Sequence, residues 1–192
     1  RDFQMKKDVI VIGAGASGLV CAIEAGRRGR SAIILDHAKR AGSKIRVSGG
    51  GRCNFTNLNM SHEHFISRNS HFCKSALARF RPHDFVSLLT QYGIGYYEKD
   101  EGQLFCKKSS GEVVDMLYKE SKRTGAEVVL NCNTVTLEKK DSFIVSTDKG
   151  VYESESLVIA TGGMSYPELG ATDIGYRIAG RFGLKVTALK PA

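Results

Sequence analysis

No two cysteines in this chain stand in C-x-x-C spacing. The five present, Cys21, Cys53, Cys73, Cys106 and Cys132, are odd in number and spread along the sequence. That argues against a disulfide scaffold and against a paired-thiol redox centre, and it suits a reduced, cytoplasmic protein. Low-complexity tracts and internal repeats are also missing, which leaves no sign of a solenoid or a disordered tail. No apolar run is long enough to cross a bilayer comfortably. The stretch from Val9 to Ile23 is short, rich in glycine and bracketed by Asp8 and Glu24, so neither a membrane span nor a signal peptide is expected despite Arg1, Lys6 and Lys7. What remains is an ordinary globular composition over 192 residues, 42% apolar and 25% charged, enough for one good core.

The net charge of +8 raises nucleic acid as a partner. Yet the cations are scattered, and no nucleic-acid motif accompanies them. The one cluster, Lys39, Arg40, Lys44, Arg46 and Arg52, follows directly after the segment with the clearest chemistry. A small anionic ligand accounts for it at least as well, so neither nucleic acid nor a membrane is expected as a partner.

That segment is Gly13-Ala14-Gly15-Ala16-Ser17-Gly18. The apolar run Asp8-Val9-Ile10-Val11-Ile12 leads into it, and Leu19, Val20, Ala22, Ile23 and Ala25 follow at helical spacing. A second apolar run, Ala32-Ile33-Ile34-Leu35, ends at Asp36. Strand, glycine turn, helix, strand and acid make a dinucleotide-binding unit. Gly13 allows the tight turn, Gly15 lets a pyrophosphate approach the backbone, and Gly18 lets helix and strand pack closely. The helix N-terminus faces the phosphates, and Asp36 is placed to accept hydrogen bonds from a ribose. NAD and FAD fit this unit equally well.

After Asp36 the sequence reads as a long loop from His37 to Asn57, with Gly49, Gly50 and Gly51 in a row among polar and basic residues. Three glycines are costly in chain entropy, so a close approach to a ligand is expected. Cys53, inside this loop, is the one thiol that invites a reactivity test. Two helices follow: about Ser70 to Phe80, with Phe72, Ala76, Leu77 and Phe80 on one face, and one from Pro82 towards Gly93. Tyr96–Glu98 and Gln103–Cys106 suggest a hairpin. Ser109 or Ser110 caps a long helix reaching Gly125. Glu127–Leu130 reads as a buried strand, and Thr134 to Tyr152 as a small antiparallel meander inserted in a parallel sheet. Ser156–Ala160 is a further strand ending in a second glycine turn, Thr161-Gly162-Gly163, before a helix from about Asp173 to Phe182. A separate pattern, His62, His64, His71 and Cys73, has ligand types suited to zinc, though its spacing fits a helix start poorly.

The segments Ser48-Gly49-Gly50-Gly51-Arg52-Cys53-Asn54-Phe55-Thr56-Asn57, His71 to Phe80, Gly102 to Cys106, Ala160 to Pro167 and Leu169 to Thr172, together with Gly13–Gly18, resemble the N-terminal part of the BaiN/YhiN-type FAD-binding flavoproteins. The resemblance covers essentially the whole chain. It implies an α/β fold: a Rossmann-like, glutathione-reductase-type FAD-binding domain with a parallel sheet, flanking helices and an antiparallel meander. It implies FAD contacts from Gly13, Gly15, Ala16 and Ser17 to the pyrophosphate and from Asp36, with neighbouring His37, on the adenosine side. Lys44, Ser48, Gly49, Gly50, Gly51, Arg52, Cys53 and Asn54 would lie along the flavin. Val135 would offer its backbone to adenine, and Ala160, Thr161 and Gly162 would close over the cofactor. The parent would be an FAD-dependent oxidoreductase reduced by NAD(P)H and acting on a small molecule; an NAD-binding dehydrogenase is the alternative, with a metal or nucleic-acid module behind it. In such proteins the FAD domain is discontinuous, interrupted by a substrate domain and completed by a return segment bearing a Gly-Asp turn. No Gly-Asp pair occurs here. The expectation is therefore residues 1–192 as the N-terminal part alone, inactive by itself.

Overall fold

The computed structural model describes residues 4–189. In chain order the elements are β1 (Gln4–Ile12), α1 (Ala16–Arg27), β2 (Ala32–Leu35), α2 (Ser43–Val47), β3 (Asn54–Asn57), α3 (Lys74–Arg79), α4 (Pro82–Gln91), β4 (Tyr96–Glu98), β5 (Gln103–Cys106), α5 (Ser110–Arg123), β6 (Glu127–Val129), β7 (Thr134–Lys139), β8 (Phe143–Thr147), β9 (Gly150–Ile159) and α6 (Ile174–Arg181). They fall into two compact units, one of residues 1–44 with 117–192 and one of residues 45–116.

The first unit is built on a six-stranded sheet of order β6-β2-β1-β9-β8-β7. β1 runs parallel to β2 and β9, and β2 parallel to β6. The apolar runs that announced β1 and β2 are buried on both faces, as a covered parallel sheet requires. Ile10, Ile12, Ile33 and Leu35 join Leu137, Val145, Tyr152 and Ile178 of α6 in one core cluster. On the other face Val11 meets α1, whose Leu19, Ala22 and Ile23 are buried. Lower on α1, Arg27 reaches the buried Glu120 at 2.9 Å, and Arg123 reaches the same carboxylate at 2.7 Å. A buried carboxylate needs such partners to stay ionised.

The meander differs from expectation. Val151–Tyr152 and Ser156–Ala160 are not separate strands. β9 is a single ten-residue strand that pairs antiparallel with β8 through its first half and parallel with β1 along most of its length. The meander is therefore the continuation of the main sheet. Glu153 and Ser154, polar residues that interrupt the apolar pattern, hide this in the sequence. Inside the sheet they are satisfied: Ser142 Oγ donates to Glu153, and Ser154 Oγ donates to the Ser156 carbonyl.

The second unit holds a three-stranded antiparallel sheet of order β3-β5-β4. Phe55 packs on Phe85 of α4 and edge-on to Tyr96 of β4. The long loop expected over residues 37–57 is more ordered than that: it contains α2, a 3-10 turn over Ser48–Gly51 and β3. The helix expected from Ser70 shrinks to the six residues of α3, leaving Phe72 outside it and 79% exposed. Ser109 caps α5 as expected: its hydroxyl accepts from the Gly111 N–H, and Glu112 accepts from the Ser109 N–H.

Candidate functional site

The strand order places a switch point at the carboxyl end of β1, with β2 on one side and β9 on the other. Open parallel sheets bind ligands at such a point. The chain ends there are tied together by backbone bonds: Gly13 N–H to the Leu35 carbonyl, Ala160 N–H to that of Ile12, and Asp36 N–H to that of Val129.

The first glycine turn divides by what demands each glycine. Gly13 has φ +114°, and a Cβ there would lie 2.4 Å from the Ala160 carbonyl oxygen; at Gly18 it would lie 1.9 Å from that of Gly13. The fold requires both. Gly15 is different. Its backbone is extended (φ −80°, ψ −172°), which any residue can adopt, and among the described residues no atom beyond its chain neighbours comes within 4 Å of an added Cβ. Nothing in the protein explains a glycine there, whereas a ligand approaching the backbone does. Gly15 is the N-cap of α1, no described side chain caps the helix, and its first turn carries no acid. The first N–H groups of a helix have no partner within it, and the dipole adds positive potential, so this end suits a phosphate. Ala16 and Ser17 are the first two of those donors.

Asp36 faces the turn. Its carboxylate accepts from the Ala14 N–H at 2.5 Å and from the Ala38 N–H at 2.7 Å, which fixes its position at the end of β2. His37 Nδ1 lies 3.5 Å from that carboxylate, and its Nε2 lies 2.9 Å from the Gly170 carbonyl oxygen. Lys44 donates to the Gly163 carbonyl at 2.7 Å and fixes the second glycine turn. Beside Asp36 and His37 opens a cleft of about 180 Å³ that includes Gly13 and Thr161 as well in its walls. Those four stand out in the sequence; Asn133, Thr172 and Arg177, which line the same cleft, do not. Thr172 lay within a segment that carried the family resemblance. Nothing in the periodicity marks Arg177, which is held by Asp173 at 3.3 Å. Val135 is not in the cleft wall. It stands on edge strand β7 at a register shift, with an exposed side chain and no cross-strand partner in the ladder, so only its backbone is available.

In the second unit, Gly49, Gly50, Gly51 and Cys53 all have left-handed φ, between +52° and +83°. The Cys53 N–H donates to the Ser48 carbonyl, and Arg52 is pinned through its guanidinium to the Lys107 carbonyl at 2.8 Å. Asn54 opens β3 and is exposed. Cys53 itself is buried. Burial pushes its thiol up, against a smaller downward pull from a Ser48 hydrogen bond. Cys106 is pushed up to about 12, by burial first and then by Cys53 and Glu112. Both are thiols at neutral pH, poor nucleophiles by comparison with a thiolate. The His62, His64, His71 and Cys73 pattern does not assemble: among the described residues, no group of three or more metal-ligating side chains is placed to hold an ion.

The sequence profile described as the HI0933-like protein Rossmann domain matches residues 7–190. The chain belongs to this family. It is 44% identical over 182 residues to a protein named ribosomal RNA dihydrouridine synthase from Haemophilus influenzae, covering 92% of this chain and 45% of that protein. The Escherichia coli protein of the same name is 46% identical over 180 residues, with 93% and 45% covered. The 3-dehydro-bile acid delta(4,6)-reductase of Clostridium scindens is 27% identical over 187 residues, with 95% and 45% covered. The chain therefore spans about half the length of these relatives. Among solved structures, glycine oxidase from Geobacillus kaustophilus superposes with a TM-score of 0.67 at 16% identity, over 95% of this chain and 60% of that one. The fold is thus a Rossmann-type FAD-binding domain, and the open position at Gly15, the uncapped helix and Asp36 fit a dinucleotide cofactor. No described helix is long and apolar enough to cross a membrane.

Proposed function

We propose that this chain supplies the FAD-holding part of a reductase that adds hydride to an activated carbon–carbon double bond, its substrate a uridine in ribosomal RNA. The observation that carries the cofactor reading is the open position at Gly15 above an uncapped helix N-terminus. The RNA substrate is favoured by the relatives at 44% and 46% identity, and by a net charge of +8 suited to a polyanion. This departs from the expectation of a small-molecule substrate and no nucleic acid.

The reaction class is common to the relatives' names. Dihydrouridine is uridine reduced at C5–C6, a double bond conjugated to a carbonyl. A delta(4,6)-reductase of a 3-dehydro compound acts on double bonds conjugated in the same way. When bound, reduced FAD would supply the hydride, a solvent-derived proton would complete the addition across the double bond, and NAD(P)H would be the reductant that returns FAD to its reduced form, while the protein provides binding, orientation and electrostatics. Gly15, Ala16 and Ser17 hold the pyrophosphate on the N-terminus of α1. Asp36 accepts from the adenosine ribose, with His37 beside it. The Val135 backbone serves adenine, and Ala160, Thr161 and Gly162 bound the cofactor, their turn fixed by Lys44. Ser48, Gly49, Gly50, Gly51, Arg52, Cys53 and Asn54 are assigned to the flavin end. Because its thiol is protonated, Cys53 acts there through its backbone conformation and not as a nucleophile.

The test has two arms. FAD titrated into the purified chain quenches flavin fluorescence on binding, whereas NAD does not compete; preferential NAD binding overturns the cofactor reading. Ribosomal RNA from cells lacking the gene loses one dihydrouridine, detected by mass spectrometry of nuclease fragments. An unchanged dihydrouridine content overturns the substrate.

A further inference from the structure

We infer that the surface segment between Glu63 and Asp84 is where this protein holds single-stranded RNA. The inference rests on the RNA-substrate reading above and goes beyond it by naming the docking surface. The twenty residues from His64 to His83 contain no carboxylate, but they carry Arg68, Lys74, Arg79 and Arg81 and three histidines, His64, His71 and His83. Arg81 is partly neutralised by Asp84 at 3.5 Å. No described carboxylate pairs with Arg68, Lys74 or Arg79, and all three are exposed.

Among these cations stand aromatic rings that a solitary soluble chain has reason to hide. Phe65 is 43% exposed, Phe72 79% and Phe80 45%, with Ile66 fully exposed beside Phe65. Phe80 is steadied edge-on by Phe85 at 6.3 Å. Every residue from Glu63 to Phe72 is exposed. The local chain explains why: α3 is too short to bury a face, and Asn69 closes the turn before it by accepting from the His71 N–H.

Alternating rings and unpaired cations match a single strand of RNA, whose bases stack on aromatic faces while its phosphates take the charges. A membrane surface would also attract cations and Phe. Amphipathic membrane helices, however, present a long apolar stripe, and α3 has six residues. The sequence conceals this surface because its helical periodicity reads Phe72 and Phe80 as a buried face.

The test is fluorescence anisotropy of a labelled single-stranded RNA, about twelve nucleotides long to match the span of one binding groove, against this chain, with three variants, each checked by circular dichroism. Arg68→Glu/Lys74→Glu/Arg79→Glu is expected to weaken binding at least about tenfold and to reduce the slope of log affinity against log salt by about 2, from roughly 0.7 per lost contact. Phe72→Ala is expected to weaken it roughly tenfold with the slope unchanged, since stacking releases no counterions. Lys119→Glu/Lys149→Glu/Lys185→Glu removes the same charge from the other unit and is expected to cost less than about threefold. Equal losses in the two triple variants would reduce the effect to net charge and overturn the location. No RNA binding by the wild-type chain, or binding to phosphatidylserine vesicles instead, would overturn the inference. So would an altered sedimentation coefficient in the first triple variant with RNA affinity intact, which marks a contact between copies. The dihydrouridine assay reads the substrate assignment separately and can succeed when this one fails.

Discussion

Three glycine-rich turns occur in this chain, and two of them, the first at Gly13–Gly18 and the second at Gly49–Gly51, use glycine for different reasons. In the first, Gly13 and Gly18 are required by carbonyl oxygens that a Cβ would strike, while Gly15 faces open space with an unstrained backbone. In the second, Gly49 is required by the Phe105 ring and the Asn54 nitrogen, and Gly50 and Gly51 face open space but have left-handed backbones. Crowding and backbone strain are reasons internal to the protein. Among the glycines of these two turns only Gly15 has neither, so within them it is the glycine that points to a ligand. Glycine content alone does not locate a binding site; the reason for each glycine does.

The sharpest way to break this comparison is to treat Gly18 and Gly15 alike. Gly18→Ala places a methyl 1.9 Å from the Gly13 carbonyl oxygen, which the strand and helix cannot yield without moving apart. A loss of about 4 kcal/mol is expected, read as a collapsed urea midpoint or insoluble expression. Gly15→Asn is expected to do the opposite to stability. Asn ranks above Gly as an N-cap, so the cofactor-free chain should gain a few tenths of a kcal/mol. Its side chain would fill the space reserved for the pyrophosphate, and FAD affinity should fall about a hundredfold, about 2.7 kcal/mol. If Gly15→Asn binds FAD as wild type does, the ligand explanation for that glycine fails.

Next in size is a difference in alkali. Cys106, whose N–H donates to the Arg52 carbonyl at 2.8 Å, backs the second turn. Its folded pKa of about 12 lies above that of an unfolded thiol near 9. Between those values the folded state holds the proton that the unfolded state releases, so its contribution is complete below pH 9 and is lost as pH rises. At about pH 10 the loss is about 1.4 kcal/mol. Cys106→Val removes this ionisation, so urea midpoints measured from about pH 8 to about pH 10 should fall less steeply for the variant than for wild type. Parallel curves would mean that the thiol ionises freely.

Much of the first unit was legible because its signals are local. The apolar runs of β1 and β2, the glycine spacing and Asp36 each follow from backbone geometry within about thirty residues. The continuity of β9 was not legible, because Glu153 and Ser154 break the apolar pattern, and Glu153 finds its partner Ser142 only through strand pairing. Nor were Asn133 and Arg177, which reach the cleft from elements far apart in sequence. The exposure of Phe72 was misread for a related reason: periodicity names a face but does not say whether anything covers it.

The smallest effect tests the second turn by itself. Gly50 has φ +64° and no atom within 4 Å of an added Cβ. Gly50→Ala therefore meets only left-handed strain, about 1 kcal/mol, offset in part by a less flexible unfolded chain. Gly49→Ala shares that strain and adds a contact at 2.7 Å with the Phe105 ring, so it should cost more. Urea denaturation of the two variants in parallel measures the gap. A gap near zero would mean that the Phe105 ring yields and that strain alone keeps both glycines. If Gly50→Ala instead leaves stability untouched and weakens FAD binding, then the open space beside Gly50 is reserved for the cofactor, as at Gly15, and the contrast between the two turns disappears.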